Sequence, residues 1–306
     1  MKLITPIEIT PLKKPIGLRN RMAFIGSCFA ENISARMRQS GIPVLVNPFG
    51  VLFNPLSILQ VFTQDPTCHS LYFEDEDHRW HCWLLDSHFN ATTLDACMTA
   101  FLSARGRLFN WNPDVLFITL GTNRYYERTD SKLIVGNCHK RPQAEFVEKV
   151  MSLEQCVATL ETICQLFSRT RIIFTVSPYR YAKYGFHENQ LAKATLLMAI
   201  DALCKKYPEQ VAYFPAYEIQ LDELRDYRFY DADMLHPSQQ AIDYIWERFS
   251  ERLLDEETRH YLYDYEPIRK ALAHRPDDPE SPAAMRLNEQ MQENVRALMA
   301  KYHIEL

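Results

Sequence analysis

Five short apolar runs constrain this chain more than any other feature. They lie at residues 22–25, 43–46, 115–120, 172–176 and 211–214, and each is dominated by large apolar side chains with little alternation. Such runs are expected of parallel strands covered on both faces. Stretches of helical character separate or follow them, at 31–39, 94–108, 144–168, 188–206 and 237–254. In the third of these the spacing is carried by Phe146, Val147, Val150, Leu153, Cys156, Val157, Leu160 and Ile163. Strand alternating with helix predicts an α/β fold: an open, doubly wound, mostly parallel sheet with helices on both faces. Sheets of this kind place their sites at the C-terminal ends of the strands.

A chain of 306 residues is long enough for one large domain and an appendage. After residue 254 the composition turns to charged helical stretches, 256–272 and 282–302, joined by 274–281. The expected organisation is therefore one α/β domain over 1–255 and a C-terminal helical tail over 256–306, packed on it. Two irregular insertions are expected at 64–90 and 124–142, the second separating a strand from its helix by more than the usual few residues. Long loops above strand ends commonly form the walls of a site.

Bulk properties exclude several classes. With 34 Lys and Arg against 39 Asp and Glu the net charge is −5, so no basic face for nucleic acid is implied. Residues 1–20 hold no apolar segment of the secretory kind, and no stretch approaches the roughly 18 apolar residues of a membrane span. The eight cysteines form no C-x-x-C pair, which points to reduced thiols and a cytoplasmic protein. No cofactor is called for, and the oligomeric state stays open.

Chemistry concentrates in two places. Gly26-Ser27-Cys28-Phe29-Ala30 ends the first apolar run and opens a helical one. A serine at such a turn stands at the edge of the sheet beside a helix N-terminus, which favours negative charge. Far along the chain stands Asp233-Met234-Leu235-His236-Pro237. Together these supply a nucleophile, Ser27; a base, His236; and an orienting carboxylate, Asp233. Pro237 fits the first position of the next helix. Donors for a developing oxyanion are expected from the Ser27 N–H, from Gly50 and from the Asn123 amide.

Each part has a plainer explanation. Ser27 in isolation is a helix cap, Asp-x-x-His before proline is a turn, and Gly121-Thr122-Asn123 is a strand-ending turn. The conjunction, each part falling after a strand end, is what favours catalysis.

These blocks resemble the SGNH (GDSL-type) hydrolase superfamily and, within it, the GSCFA family, whose pentapeptide stands at 26–30. The superfamily's four blocks correspond here to Ser27, Gly50, Asn123, and Asp233 with His236. Further stretches similar to the family are 136–142, 175–178, Glu188-Asn189 with Lys193, His274-Arg275-Pro276 and Pro279-Glu280-Ser281, so the resemblance spans nearly the whole chain. It implies a flavodoxin-like fold and hydrolysis or transfer of an acyl ester, but names no substrate. The block-one motif departs from the usual Gly-Asp-Ser by placing glycine before the serine. The expected partner is a small-molecule acyl ester or an acylated sugar. A non-catalytic binding protein with a relic site is the rival from another class.

Other candidates surround these. Cys28 is an alternative nucleophile, since thiolates are activated at helix N-termini. His139, Lys140, Arg124 and His187 are candidate substrate-binding residues, each with a solvated-loop or capping alternative. His78, His81, Cys82 and His88 have zinc-ligand chemistry without zinc-site spacing, so no metal is expected. Tyr72, Trp80, Trp83, Phe89, Tyr125 and Tyr126 cover apolar surface or line a groove.

Overall fold

The computed structural model describes residues 5–273 and 282–304. In chain order the elements begin with β1 (Met22–Gly26), α1 (Cys28–Gln39), β2 (Val44–Val46) and α2 (Pro55–Thr63). The hairpin β3 (Tyr72–Glu74) and β4 (Trp80–Cys82) precedes α3 (Leu94–Trp111) and β5 (Val115–Leu120). A small sheet follows, with β6 (Arg124–Arg128), β7 (Ile134–Val135) and β8 (Phe146–Val150). Next come α4 (Leu153–Leu166), β9 (Arg171–Val176), α5 (Phe186–Lys206), β10 (Val211–Tyr213), the single turn α6 (Ala216–Glu218) and α7 (Gln239–Leu253). The helices α8 (Glu256–Ala273) and α9 (Pro282–Lys301) close the chain.

The central sheet has the order β10-β9-β5-β1-β2, and every pairing in it is parallel. This is the doubly wound flavodoxin-like order, in which the winding reverses between β1 and β5. The five apolar runs of the sequence supply these five strands. Alternation within each strand sorts its side chains to two faces. Ala23 and Ile25 pack with Phe101 of α3, Leu160 of α4 and Leu196 of α5. Met22 and Phe24 pack on the other face with Ile33 of α1 and Phe249 of α7. Phe24 and Phe117 stack across β1 and β5 with centroids 4.3 Å apart.

The helix α1 forms because Phe29, Ile33 and Met37 bury one stripe at i, i+4 and i+8. At the tail, Tyr261 of α8 is fully buried and its hydroxyl donates to Ser40 O at 2.7 Å, beside the end of α1. The family-like stretches at 274–276 and 279–281 lie outside the described residues.

Two expectations need correction. The helix expected over 144–168 is split: Phe146–Val150 is strand β8, antiparallel to β6, and α4 starts only at Leu153. Ser152 and Gln155 form a reciprocal capping box that sets this start, and the apolar positions 146, 147 and 150 suit either period. Pro237 is not the first residue of α7. It bridges Tyr230, and the helix is capped by Ser238, whose side chain accepts from Ala241 N.

Candidate active site

The site lies where the winding of the sheet reverses, at the C-terminal ends of β1, β5 and β9. Gly26 makes this possible. Its φ is +135°, a region that favours glycine, and a Cβ there would sit 2.1 Å from Thr119 O. The glycine before the serine thus lets β1 stay paired with β5 to its last residue. Its N–H donates to Asn47 Oδ1 at 3.0 Å, and Asn47 Nδ2 donates to Glu31 Oε1 at 3.0 Å. Asn47 escaped the sequence reading; it stands at a left-handed φ of 38° after β2, a conformation asparagine tolerates.

Ser27 occupies the N-cap position of α1 but does not cap it, for its side chain accepts no hydrogen bond from the helix. Its Oγ is buried and has no hydrogen-bond partner among the described residues. A buried hydroxyl left unsatisfied costs free energy, about 1–3 kcal/mol, so a cap would have been the favourable arrangement. Ser27 is one of the residues lining a cleft of about 200 Å³, with Cys28, Phe53, Gly121, Ser177, Tyr179, Tyr181 and His236.

His236 lines the same cleft. His236 Nδ1 and Asp233 Oδ2 are 2.5 Å apart. Asp233 Oδ1 accepts the backbone N–H of Leu235 at 2.8 Å and of His236 at 2.9 Å. The His236 backbone bond first, then the imidazole bond and the Leu235 N–H, pull the Asp233 carboxyl down to about 2. An ionised carboxylate only accepts, so Nδ1 is the donor, and in the neutral tautomer the lone pair falls on Nε2. The imidazole lies on the Tyr179 ring, centroids 4.4 Å apart. Arg180 ties this loop to the end of β9: its N–H donates to Leu235 O at 3.0 Å and its Nη1 to Met234 O at 3.1 Å. The Arg180 guanidinium is itself held 4.2 Å from the Phe186 ring centroid.

Cys28 lines the same cleft, but its thiol is pushed up, first by burial and then by Glu31. Partial burial offsets the activation expected of a helix N-terminus.

The expected oxyanion donors are otherwise engaged. The Ser27 N–H donates to Thr119 O at 3.1 Å, Gly50 N–H to Asn47 O at 2.8 Å, and Asn123 Nδ2 to Met151 O at 2.9 Å. Neither Gly50 nor Asn123 lines the cleft. Gly50 is required for a different reason: its φ is +81° and a Cβ would meet Asp86 Cβ at 2.1 Å. Asn123 joins the end of the β5 turn to Met151 ahead of α4.

The expected substrate-binding residues are also elsewhere. His139 is structural: Nε2 donates to Cys82 O at 2.9 Å, Nδ1 faces Ser87 Oγ at 3.1 Å, and burial lowers its pKa to about 4. Both nitrogens of this imidazole are engaged within the fold. Arg124 is bonded to Glu188 at 2.6 Å and lies over the Tyr184 ring. Lys140 and His187 are exposed and do not line the cleft. His78, His81 and His88 pair with Glu74, Asp75 and Asp86 in turn, and no metal-binding group of three or more His, Cys, Asp or Glu side chains comes together among the described residues. No helix among the described residues is long and apolar enough to cross a membrane.

What sequence reasoning missed is the wall. Phe53 enters from the loop before α2, and Ser177, Tyr179 and Tyr181 alternate along the segment after β9. The aromatic Tyr-Arg-Tyr after an apolar strand was the available signal.

Fold and site define an α/β protein of the flavodoxin-like, doubly wound class with a serine at its switch point. The chain belongs to the GSCFA family, whose model matches residues 21–249 and so leaves the tail outside the match. No curated protein sequence matches it. Among solved structures it is similar to a family two carbohydrate esterase from Clostridium thermocellum in complex with cellohexaose. The two are 11% identical over 82% of this chain and 67% of that one, with a TM-score of 0.38. The acetyl xylan esterase Est2A from the rumen bacterium Butyrivibrio proteoclasticus is 12% identical over 78% of this chain, with a TM-score of 0.37. The match spans 65% of Est2A, less than two thirds of its length. The periplasmic domain of a lipopolysaccharide acetyltransferase from Salmonella ser. Paratyphi A is 12% identical over 76% and 82% of the two chains, with a TM-score of 0.33. These likenesses are too distant to carry chemistry across.

Proposed function

We propose that this protein is an SGNH-type serine hydrolase that cleaves a short acyl ester through Ser27, His236 and Asp233. One observation carries the reading. The Ser27 hydroxyl is buried, uncapped and unpartnered, and Ser27 lines one cleft with His236, whose Nδ1 is held by a carboxylate. In the proposed reaction Ser27 Oγ attacks the acyl carbon and His236 Nε2 takes its proton. The same nitrogen returns the proton to the departing alkoxide, leaving an acyl-serine. Water, activated by His236, then releases the acid. Asp233 stays ionised and stabilises the imidazolium. Negative charge on the carbonyl oxygen is met by the N-terminus of α1, and the backbone donors around Ser27 serve only if the oxyanion displaces their present carbonyl acceptors.

The cleft supports a small acyl group. Its 200 Å³ lies below the roughly 300–1,000 Å³ of pockets that enclose drug-sized ligands, and Phe53, Tyr179 and Tyr181 give it apolar walls. Transfer to another hydroxyl shares the acyl-serine and differs only in what reaches it. The engagement of all three expected oxyanion donors favours one second reading, a binding protein keeping a relic site. Steady-state turnover of p-nitrophenyl acetate and its longer-chain homologues separates the two. Turnover that falls with chain length and disappears in Ser27→Ala and His236→Ala supports the hydrolase; equal rates in wild type and variants support the relic.

A further inference from the structure

The buried face of α5 carries a lysine that the chemistry above does not use. Lys193 is 1% exposed, among Asn189, Ala192 and Leu196. Its Nζ donates to Gly121 O and to Ser177 O, each at 2.8 Å. These are the first residues beyond β5 and β9, and both line the cleft of Ser27. The β5–β9 ladder ends here. Ser177 N–H still donates to Leu120 O at 2.8 Å, but Gly121 N–H turns away to Phe53 O at 2.7 Å. Beyond this point the two chains part, one toward β6 and the other toward Tyr179 and the His236 loop. Two carbonyl dipoles aimed at one buried point repel unless a donor stands between them.

A lysine is a costly choice for that donor. Among the described residues no carboxylate pairs with it, and its other polar contact is the Tyr217 ring, 5.6 Å from Nζ. Burial lowers its pKa to about 7. A neutral amine has two N–H donors, and two acceptors are present. A side chain needed only for packing would be apolar, because burying an amine without a counter-ion is unfavourable.

We propose that Lys193 is a positioning residue for the Ser27 reaction, pinning the Gly121 and Ser177 carbonyls so that the two strand ends hold the serine's cleft at its working width. The proposal rests on the hydrolase reading. Through Ser177 the pin sets where Tyr179 stands, and Tyr179 supports the His236 ring. Through Gly121 it sets the turn that packs against Phe53. Displacement of a catalytic group by about 1 Å can cost ~10²-fold in rate.

The test replaces the amine and keeps the stem. In full-length Lys193→Met, kcat per folded molecule on p-nitrophenyl acetate should fall about 10²-fold while KM stays within about threefold. Lys193→Gln, which keeps a donor for one carbonyl, should recover part of kcat. A purely structural lysine would move the melting temperature and leave kcat per folded molecule alone. A folded Lys193→Met with kcat within about twofold of wild type overturns the proposal, as does failure of both variants to fold. Wild type without turnover is a different failure: it sinks the hydrolase reading and this proposal with it.

Discussion

The two halves of the site are built in opposite ways. Ser27 is 2% exposed and is held chiefly from the central sheet: Gly26 wedged against Thr119, Asn47 after β2 on the Gly26 N–H, Thr119 O on its own N–H. The side chains of Asp233 and His236 are 43% and 46% exposed, and their geometry is set by hydrogen bonds inside one loop. Arg180 and Tyr179, in the segment after β9, connect that loop to the end of the sheet. The place of the serine is therefore a property of the fold, and the place of the histidine is a property of a loop. Damage to the first should be read in stability, and damage to the second in rate.

The largest effect falls on the loop half. Asp233→Asn removes the charge that holds the imidazole tautomer, and kcat should drop about 10³–10⁴-fold. The melting temperature should barely change, because the carboxylate is solvent-exposed. A drop in stability comparable to a core lesion would break the comparison. The mirror experiment is Gly26→Ala. A methyl 2.1 Å from Thr119 O, at a φ of +135°, must push β1 and β5 apart. It should destabilise the protein by about 3 kcal/mol or more in urea unfolding, through strain and overpacking together. A Gly26→Ala protein as stable as wild type would show that the serine turn is not anchored by the sheet.

Arg180→Ala tests the polar strut between the halves. It removes the Met234 carbonyl bond and leaves Asp233–His236 intact, so a loss in kcat of about tenfold is expected, with stability little altered. Comparison of kcat and melting temperature for this variant decides whether the loop needs the sheet at all.

Two pH effects are smaller. The folded Asp233 carboxyl, at about 2, lies below its ordinary 3.8, so the stability it contributes is complete above about pH 4 and lost as pH falls through 2. The small stability difference between wild type and Asp233→Asn should therefore shrink only below about pH 4; shrinkage that is complete by pH 5 would contradict the lowered carboxyl. Lys193 titrates at the other end of the scale. Its folded pKa of about 7 lies below the ordinary 10.5, so the unfolded chain holds more protons between these values. Unfolding free energy of wild type, relative to Lys193→Met, should rise with pH across about 7 to 10, by at most roughly 1.4 kcal/mol per pH unit. A flat difference would mean that Lys193 titrates normally.

The same contrast governs what was legible in the sequence. The five central strands stand out because each is a continuous apolar run, and their parallel order follows from the helices between them. Residues 146–150 misled because Phe146, Val147 and Val150 fit a helix as well as a strand, while the capping pair Ser152 and Gln155 three residues apart marked the true start of α4. Ser27, Asp233 and His236 were visible because each sits in a short local motif. Gly50 and Asn123 were expected as oxyanion donors from the family-like blocks; in the fold the Gly50 N–H and the Asn123 amide meet carbonyls that only the folded chain brings near. Phe53 and Tyr179 act through contacts with partners far away in the sequence, and no local pattern announces them; Lys193 stood in the family-like stretch with Glu188 and Asn189, but its partners Gly121 and Ser177 appear only in the fold.

The central claim is that the unpartnered Ser27 hydroxyl is a nucleophile served by His236. Intact-mass measurement after treatment with a fluorophosphonate, on wild type, Ser27→Ala and His236→Ala, tests it most directly. The account predicts one adduct per wild-type chain and none on either folded variant. An adduct that survives Ser27→Ala, or a folded wild type that stays unlabelled at saturating probe, would contradict it.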